Sequence, residues 1–364
     1  MSATISPAID HRRPSRAERL CWWLALIFVA VFLTALQITI TAPYGLTSLK
    51  LLANFQAVEP FQHRALIPIC VAAIERLAPL DHRLAFALTE VVTWVALGVL
   101  AERALAIFGV THHAALRGVL ALTLLPPMAM VTLIPDLHVW PILARADGLW
   151  DLGDWGVRTL YYYPYDLPAA AFTLALLLTL TRIADRITGP RLIGLALLFA
   201  VATLNRETTL FILPMAACLF MRHQHRRALF GVVAGLAVLF VAVQWPLHWW
   251  FSDQPNPHGH LGATQYEWHL GENWHYLSQP IYLITELVRF LGGLWLPMIL
   301  WWRFVDARLR AAVLGFVPLL VLVGLLIGRV PEHRIFLEAV PLVWLAAIQA
   351  ASQRFRPICP AHEA

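Results

Sequence analysis

The stretch LFAVATLNRETTLFILPM, residues 198–215, is apolar on both sides and carries Asn205-Arg206-Glu207 at its centre. Formal charges are costly at the middle of a bilayer. Either this run is not one crossing, or its charges meet partners. The flanks decide between these readings. RIADRITGPR (182–191) precedes the run and MRHQHRR (221–227) follows it, and both are basic. Short loops rich in Lys and Arg stay on the cytoplasmic side. A single helix over 191–221 would place its two basic flanks on opposite faces, whereas a hairpin keeps them together with 205–207 at its outer tip. Each arm is about 14 residues, roughly 21 Å of helix. That is shorter than the hydrocarbon core of about 30 Å, so the tip is expected below the outer interface.

The rest of the chain belongs to the same class. Of 364 residues 59% are hydrophobic and 13% charged, and the mean hydropathy is +0.66, which excludes a soluble domain and predicts an all-α polytopic membrane protein. The net charge of +5 comes from scattered arginines, with Lys50 the only lysine, so no basic stripe points to nucleic acid. Cys21, Cys70, Cys218 and Cys359 share no metal or redox spacing. Residues 1–20 hold Arg12, Arg13, Arg16 and Arg19 ahead of an apolar run too long for a signal-peptide core, so that run is read as an uncleaved first span.

Hydropathy predicts further spans at 21–41, 84–101, 115–134, 166–183, 227–247, 281–301, 311–328 and 336–351. With the two hairpin arms this makes ten, with N and C termini cytoplasmic. One transmembrane domain, 21–351, then lies between tails 1–20 and 352–364. Its long outer, periplasmic loops are 42–83, 135–165 and 248–280. On this topology 17 Lys and Arg fall inside and nine outside, with Arg289 in a span. The bias has the expected sign, yet the outer face is rich in arginine. Within 42–83, ALIPICVAAIERLAPL is too short to cross and contains Glu75-Arg76; it is expected to lie at the interface as a helix.

Three arginines lead into apolar stretches at the outer mouth: Arg64 in EPFQHRALIP, Arg206 in NRETTLFILP and Arg334 in VPEHRIFLEAVP. Asn205 suits the N-cap of a returning helix, with Glu207 at its positive end. Pro331 and Glu332 suit the first turn of another. Two helix starts with guanidinium groups would bind phosphate, and His63 and His333 beside Arg64 and Arg334 join the candidate substrate-binding set. The plainer reading is that Glu207 and Glu332 neutralise Arg206 and Arg334 as capping pairs. Glu59 precedes Pro60, lies in extended or turn geometry, and is a candidate general base or a solvated loop acid. Glu75 and Asp81 sit beside Arg76 and Arg83 as ordinary pairs.

RADGLWDLGDWGVRTLYYYPYDLP (145–168) interleaves Asp147, Asp151, Asp154 and Asp166 with aromatic rings, which suits a sugar; an interfacial aromatic belt accounts for the tyrosines equally well. His258, His260, His269 and His275 share a Gly- and Pro-rich loop without tight ligand spacing, so no cofactor is expected, a divalent metal being the one open possibility. There is no phosphate-binding glycine loop, nucleophile elbow or HExxH.

The layout, with FQHRALIP after the first span and NRETTLF in a mid-chain hairpin, resembles the GT-C superfamily of integral-membrane glycosyltransferases, in an uncharacterised bacterial branch. The resemblance covers most of the chain in plan but only these segments in residues. It implies a polyprenyl-phosphate-linked sugar as donor, a glycan, lipid or protein acceptor, and a site on the periplasmic face of the bacterial inner membrane. It implies that Glu59 is the catalytic base and that Arg206 and Arg334 hold the lipid phosphate. This sequence departs from the family in having a lone Glu where many members carry an Asp or paired acids, which leaves Asp136 or Asp147 in reserve.

The expected reaction is inverting glycosyl transfer, driven by the phosphate–sugar bond. The rival is a transporter or flippase of an anionic lipid-linked substrate. Only Glu90, Glu286 and Arg289 lie clearly inside spans, away from their ends, the last two being one turn apart and able to pair. A scaffold without a site is the third reading.

Overall fold

A computed structural model of the chain describes residues 15–40, 42–43, 48–57, 61–133, 161–221, 223, 225–252, 268–330 and 333–355. Its opening elements are α1 (Arg16–Ile40), α2 (Leu49–Ala53), a 3-10 turn at Phe61–His63, α3 (Leu66–Leu77), α4 (His82–Ile107), α5 (Ala114–Leu122) and α6 (Leu125–Leu133). Then come α7 (Asp166–Asp185), α8 (Gly189–Asn205), a 3-10 turn at Glu207–Phe211, α9 (Ile212–Phe220) and α10 (Arg226–Ser252). The chain ends with α11 (Leu270–Leu277), α12 (Pro280–Arg289), α13 (Trp295–Leu300), α14 (Ala307–Ile327), a 3-10 stretch at His333–Ala339 and α15 (Val340–Arg354). Apart from a two-residue parallel pairing of Ala42–Pro43 with Tyr161–Tyr162, the described chain is helical.

Seven helices among the described residues are long and apolar enough to cross a membrane: Arg16–Thr39, His82–Ile107, Ala114–Thr132, Asp166–Asp185, Arg226–Phe251, Ala307–Ile327 and His333–Arg354. The expected span at 281–301 is not one helix. It is α12 and α13, separated by Phe290–Gly293, where Leu291, Gly292 and Gly293 all have positive φ. Gly292 is required there twice over, because a Cβ would lie 2.5 Å from the Cβ of Pro127.

Most of α7 and α15 is enclosed, whereas α1, α10 and α14 show much of their apolar surface at the periphery. Burial around Leu174, Trp344, Phe199 and Phe316 makes one core through the bundle. In hydrocarbon the apolar effect does not drive helices together, so close approach matters more. At Gly315 of α14 a Cβ would come within 2.7 Å of the Met215 Cα and the Pro214 carbonyl of α9. Only a bare backbone fits.

The charged run is a hairpin. Arg206 is extended (φ −161, ψ 140) between α8 and the following 3-10 turn. Toward one end of the bundle, Asn205 bonds the Tyr165 carbonyl at the start of α7 and Gln244 bonds the Thr203 carbonyl. Toward the other, Arg308 at the start of α14 reaches Asp185 at the end of α7. α9 packs on α14, with Pro214 and Met215 against Gly315, and Phe211 lies near Leu320 toward the first end. So α9 runs back along the direction of α7, opposite to α8.

α3 has twelve residues, too few to cross, with Ile67, Pro68 and Val71 buried and Leu77 exposed. Glu75 pairs with His82 rather than with Arg76.

Candidate functional site

Buried charges gather where the hairpin tip meets the start of α7 and the 3-10 stretch before α15. Arg206, extended at the tip, turns its guanidinium inward: Nη1 lies 3.1 Å from Asp166 Oδ1 and 3.2 Å from Glu338 Oε1. Arg334 reaches the other oxygen of Asp166, Nη1 to Oδ2 at 3.2 Å, and lies over the Tyr163 ring, 3.5 Å from its centroid. Arg64 grips Glu207 with a fork, Nη2 to Oε1 at 2.6 Å and Nε to Oε2 at 3.2 Å. It also stacks over Tyr165 at 4.4 Å and Phe61 at 5.3 Å. Thr208 donates to Glu338 Oε1 at 2.6 Å. Arg64, Arg206, Asp166 and Glu338 are all buried.

Local sequence explains each placement. The 3-10 turn at Phe61–His63 ends directly before α3 and delivers Arg64 onto its aromatic neighbours. Asp166 opens α7, with Tyr163 and Tyr165 packed into a small second core beside Phe61 and Phe86. The carbonyl of Arg206 accepts from the Thr209 hydroxyl, which steadies the turn. Three guanidinium groups face three carboxylates, so the network is charge-balanced and each ion keeps hydrogen bonds, the condition under which buried charges are tolerated.

Burial alone would lower the Arg64 pKa, but Glu207 and then Tyr165 outweigh it and the guanidinium is held more firmly charged than usual. Burial pushes the Tyr165 hydroxyl well above its ordinary value, against the pull of Arg64. His63 is lowered to about 4, by burial first and then by His248, whose ring centroid is 4.1 Å away. Its imidazole is therefore neutral at neutral pH. Among the described residues, the buried Nε of Arg206 and the buried hydroxyl of Tyr165 find no hydrogen-bond partner.

A cavity of about 170 Å3 opens beside this network. Arg64, Arg206, Glu207 and Thr208 form one wall, and Phe211, Leu320, Val323, Ile327 and Ile335 form the other. One wall thus suits an anion and the other a hydrocarbon.

Four of the residues singled out from sequence come together here: Arg64, Arg206, Glu207 and Arg334. His63 is next to them. His333 is turned away, onto Glu286 of α12. Glu59, Asp147 and Glu332, like Asp136, lie outside the described residues.

Several details differ from expectation. Asn205 is not an N-cap: it ends α8, and its amide is used on the Tyr165 carbonyl. Glu207 does not neutralise its neighbour but bonds Arg64, 143 residues away in sequence. Neither Arg206 nor Arg334 opens an α-helix, since each borders or lies in a 3-10 stretch. Their side chains therefore offer the positive charge, without an aligned α-helical N-terminus. Glu286 contacts Arg289 only at 3.9 Å and is held instead by His333 and Tyr276. Tyr163 and Tyr165 are buried site residues and not an interfacial belt.

Sequence reasoning missed Asp166 as the hub and Glu338 altogether. The available signal was the one that exposed Arg206: a carboxylate inside or bordering an apolar run. Among the described residues no three His, Cys, Asp or Glu side chains gather as a metal-binding group. No family model, curated protein or solved structure matches the chain.

Proposed function

We propose that the chain crosses a bacterial inner membrane ten times with both termini cytoplasmic, and that its charged end binds the phosphate of a lipid-linked sugar and transfers the sugar to an acceptor hydroxyl. Ten crossings are supported by the direction of the segments: the two hairpin arms each run most of the bundle's length, and α12 with α13 together make a further, interrupted traverse. The orientation is supported by the basic flanks of the hairpin, which leave the arginine-rich tip at the outer face. Exposed Trp245, Trp249, Trp250, Trp268 and Trp274 near that end fit an interfacial girdle.

One observation carries the functional reading. Arginines from three distant parts of the chain, at 64, 206 and 334, meet in one buried network beside a cavity with a polar and an apolar wall. A phosphate on a hydrocarbon chain matches both walls. In glycosyl transfer the acceptor oxygen bonds the anomeric carbon as the carbon–phosphate oxygen bond breaks. The departing phosphate gains charge, and preorganised guanidinium groups stabilise it more than they stabilise the substrate. The acceptor proton passes to Glu59, five residues before Arg64, the base that the family resemblance implies.

The test is turnover of a polyprenyl-phosphate sugar by the full-length protein in membranes. Glu59→Gln is expected to lower kcat by about 10²–10⁴. Arg64→Lys and Arg206→Lys, which keep charge but lose the planar fork, are expected to lose most turnover. Near-normal turnover in the first variant removes Glu59 from the reaction, and in both lysine variants it removes the headgroup site.

The break between α12 and α13, with Glu286 and Arg289 just before it, favours one other reading, a transporter or flippase, because broken helices with ionisable groups mark transport sites. Substrate crossing proteoliposomes without covalent transfer would establish it in place of the transferase.

A further inference from the structure

A second buried ionic cluster lies on the far side of the 3-10 stretch. His333 contacts Glu286 of α12, and both are about 4% exposed. The other oxygen of Glu286 accepts from the Tyr276 hydroxyl of α11 at 2.7 Å. No residue of this cluster lines the cavity. The energetic question is what a buried carboxylate and imidazole accomplish there, since burying polar groups costs stability unless they are hydrogen-bonded.

Their position in the chain answers it. In a 3-10 helix there are about three residues per turn, so successive side chains point about 120° apart. His333 is fixed on one side by Glu286. Its neighbour Arg334 therefore points elsewhere, and it meets Asp166. Asp166 divides its two oxygens between Arg334 and Arg206. Of these two arginines, only Arg206 lines the cavity. While Arg334 is held, two guanidinium groups balance Asp166 and Glu338. If Arg334 leaves, both carboxylates fall to Arg206 alone, and the uncompensated negative charge just behind the cavity wall disfavours an anion.

We propose that Glu286 is a positioning residue for the anion site: through His333 it holds Arg334 on Asp166, which leaves Arg206 charge with which to attract a phosphate. The proposal rests on the headgroup-binding reading above. It gives α11 and α12 a role in affinity although they contribute no atom to the cavity.

The test is a double-mutant cycle on the full-length protein in lipid nanodiscs, reading the Kd of a short-chain polyprenyl monophosphate against the matching alcohol. Glu286→Gln is expected to raise the phosphate Kd about three- to tenfold, the scale of coupling within one charge network. Arg334→Gln should raise it at least as much, and the double variant no further than Arg334→Gln alone. A role confined to general stability would make the two effects multiply, and that result, or an unchanged Kd in Glu286→Gln, overturns the proposal. If Glu286→Gln does not fold, Tyr276→Phe takes its place in the cycle and removes only the hydroxyl that fixes the carboxylate. If the wild-type protein binds the alcohol as tightly as the phosphate, the headgroup reading fails and this proposal with it. A wild type that prefers phosphate beside additive variants sinks the positioning role alone.

Discussion

The bundle has two breaks between helices, and they are built on opposite principles. At the first, Arg206 adopts an extended conformation, and the tip is filled with charges that pair with Asp166, Glu338 and Arg64 from remote segments. At the second, Phe290–Gly293 carries no formal charge; three successive positive-φ residues turn the chain against Pro127 and Phe336. The first break is held by long-range electrostatics and the second by local backbone geometry and a close fit. A break of the first kind can form a binding site. One of the second kind redirects a helix.

The largest expected effect follows from removing the charge at the first break. Arg206→Leu leaves Asp166 and Glu338 buried with one guanidinium fewer, and breaking such a pair typically costs about 3–5 kcal/mol. Thermal melting of the purified protein in detergent should fall by far more for Arg206→Leu than for Arg206→Lys. Equal melting of the two would mean that the charges at the tip are solvated and that the contrast between the breaks is false.

A smaller effect is expected from His63, which packs against the first break. Its folded-state pKa is near 4, below the ordinary 6.5, because burial and His248 disfavour the imidazolium. Above pH 6.5 neither state binds the proton, so nothing changes there. As pH falls from 6.5 toward 4 the unfolded chain takes up a proton that the folded one refuses, and stability is lost across that window. The melting temperature should fall with acidification over that range, and His63→Gln should flatten the slope. An unchanged slope in that variant would mean that His63 is already solvated.

The two breaks also differ in how legible they are. Asn205-Arg206-Glu207 stands out because charge inside an apolar run needs an explanation, and basic flanks give the hairpin its sense. Arg64 and Arg334 are visible for the same reason. Their partners are not, because pairing between residues 64 and 207, or 166 and 334, depends on how helices pack and leaves no local pattern. Asp166 therefore looks like one more loop carboxylate, and Glu207 like a partner for its neighbour. The Leu291-Gly292-Gly293 turn is harder still. Its flanks are apolar throughout, so hydropathy joins 281–301 into one span, and glycines inside such a run are common. Only the position of Pro127 makes Gly292 obligatory.

That last point gives the smallest effect and the sharpest control. Gly292→Ala would force a methyl group to 2.5 Å from Pro127 Cβ at a φ of +67. Overpacking of this kind costs typically about 1–3 kcal/mol. Gly231→Ala and Gly235→Ala, inside α10, meet no neighbouring atom within 4 Å among the described residues and are expected to be neutral or stabilising by about 0.5–1 kcal/mol, the ordinary gain of Ala over Gly in a helix. Melting curves of the three variants side by side separate a glycine needed for a close fit from glycines merely tolerated. If Gly292→Ala melts with the α10 pair, α12 and α13 do not turn against Pro127 as described, and the span at 281–301 is the continuous helix that hydropathy suggests.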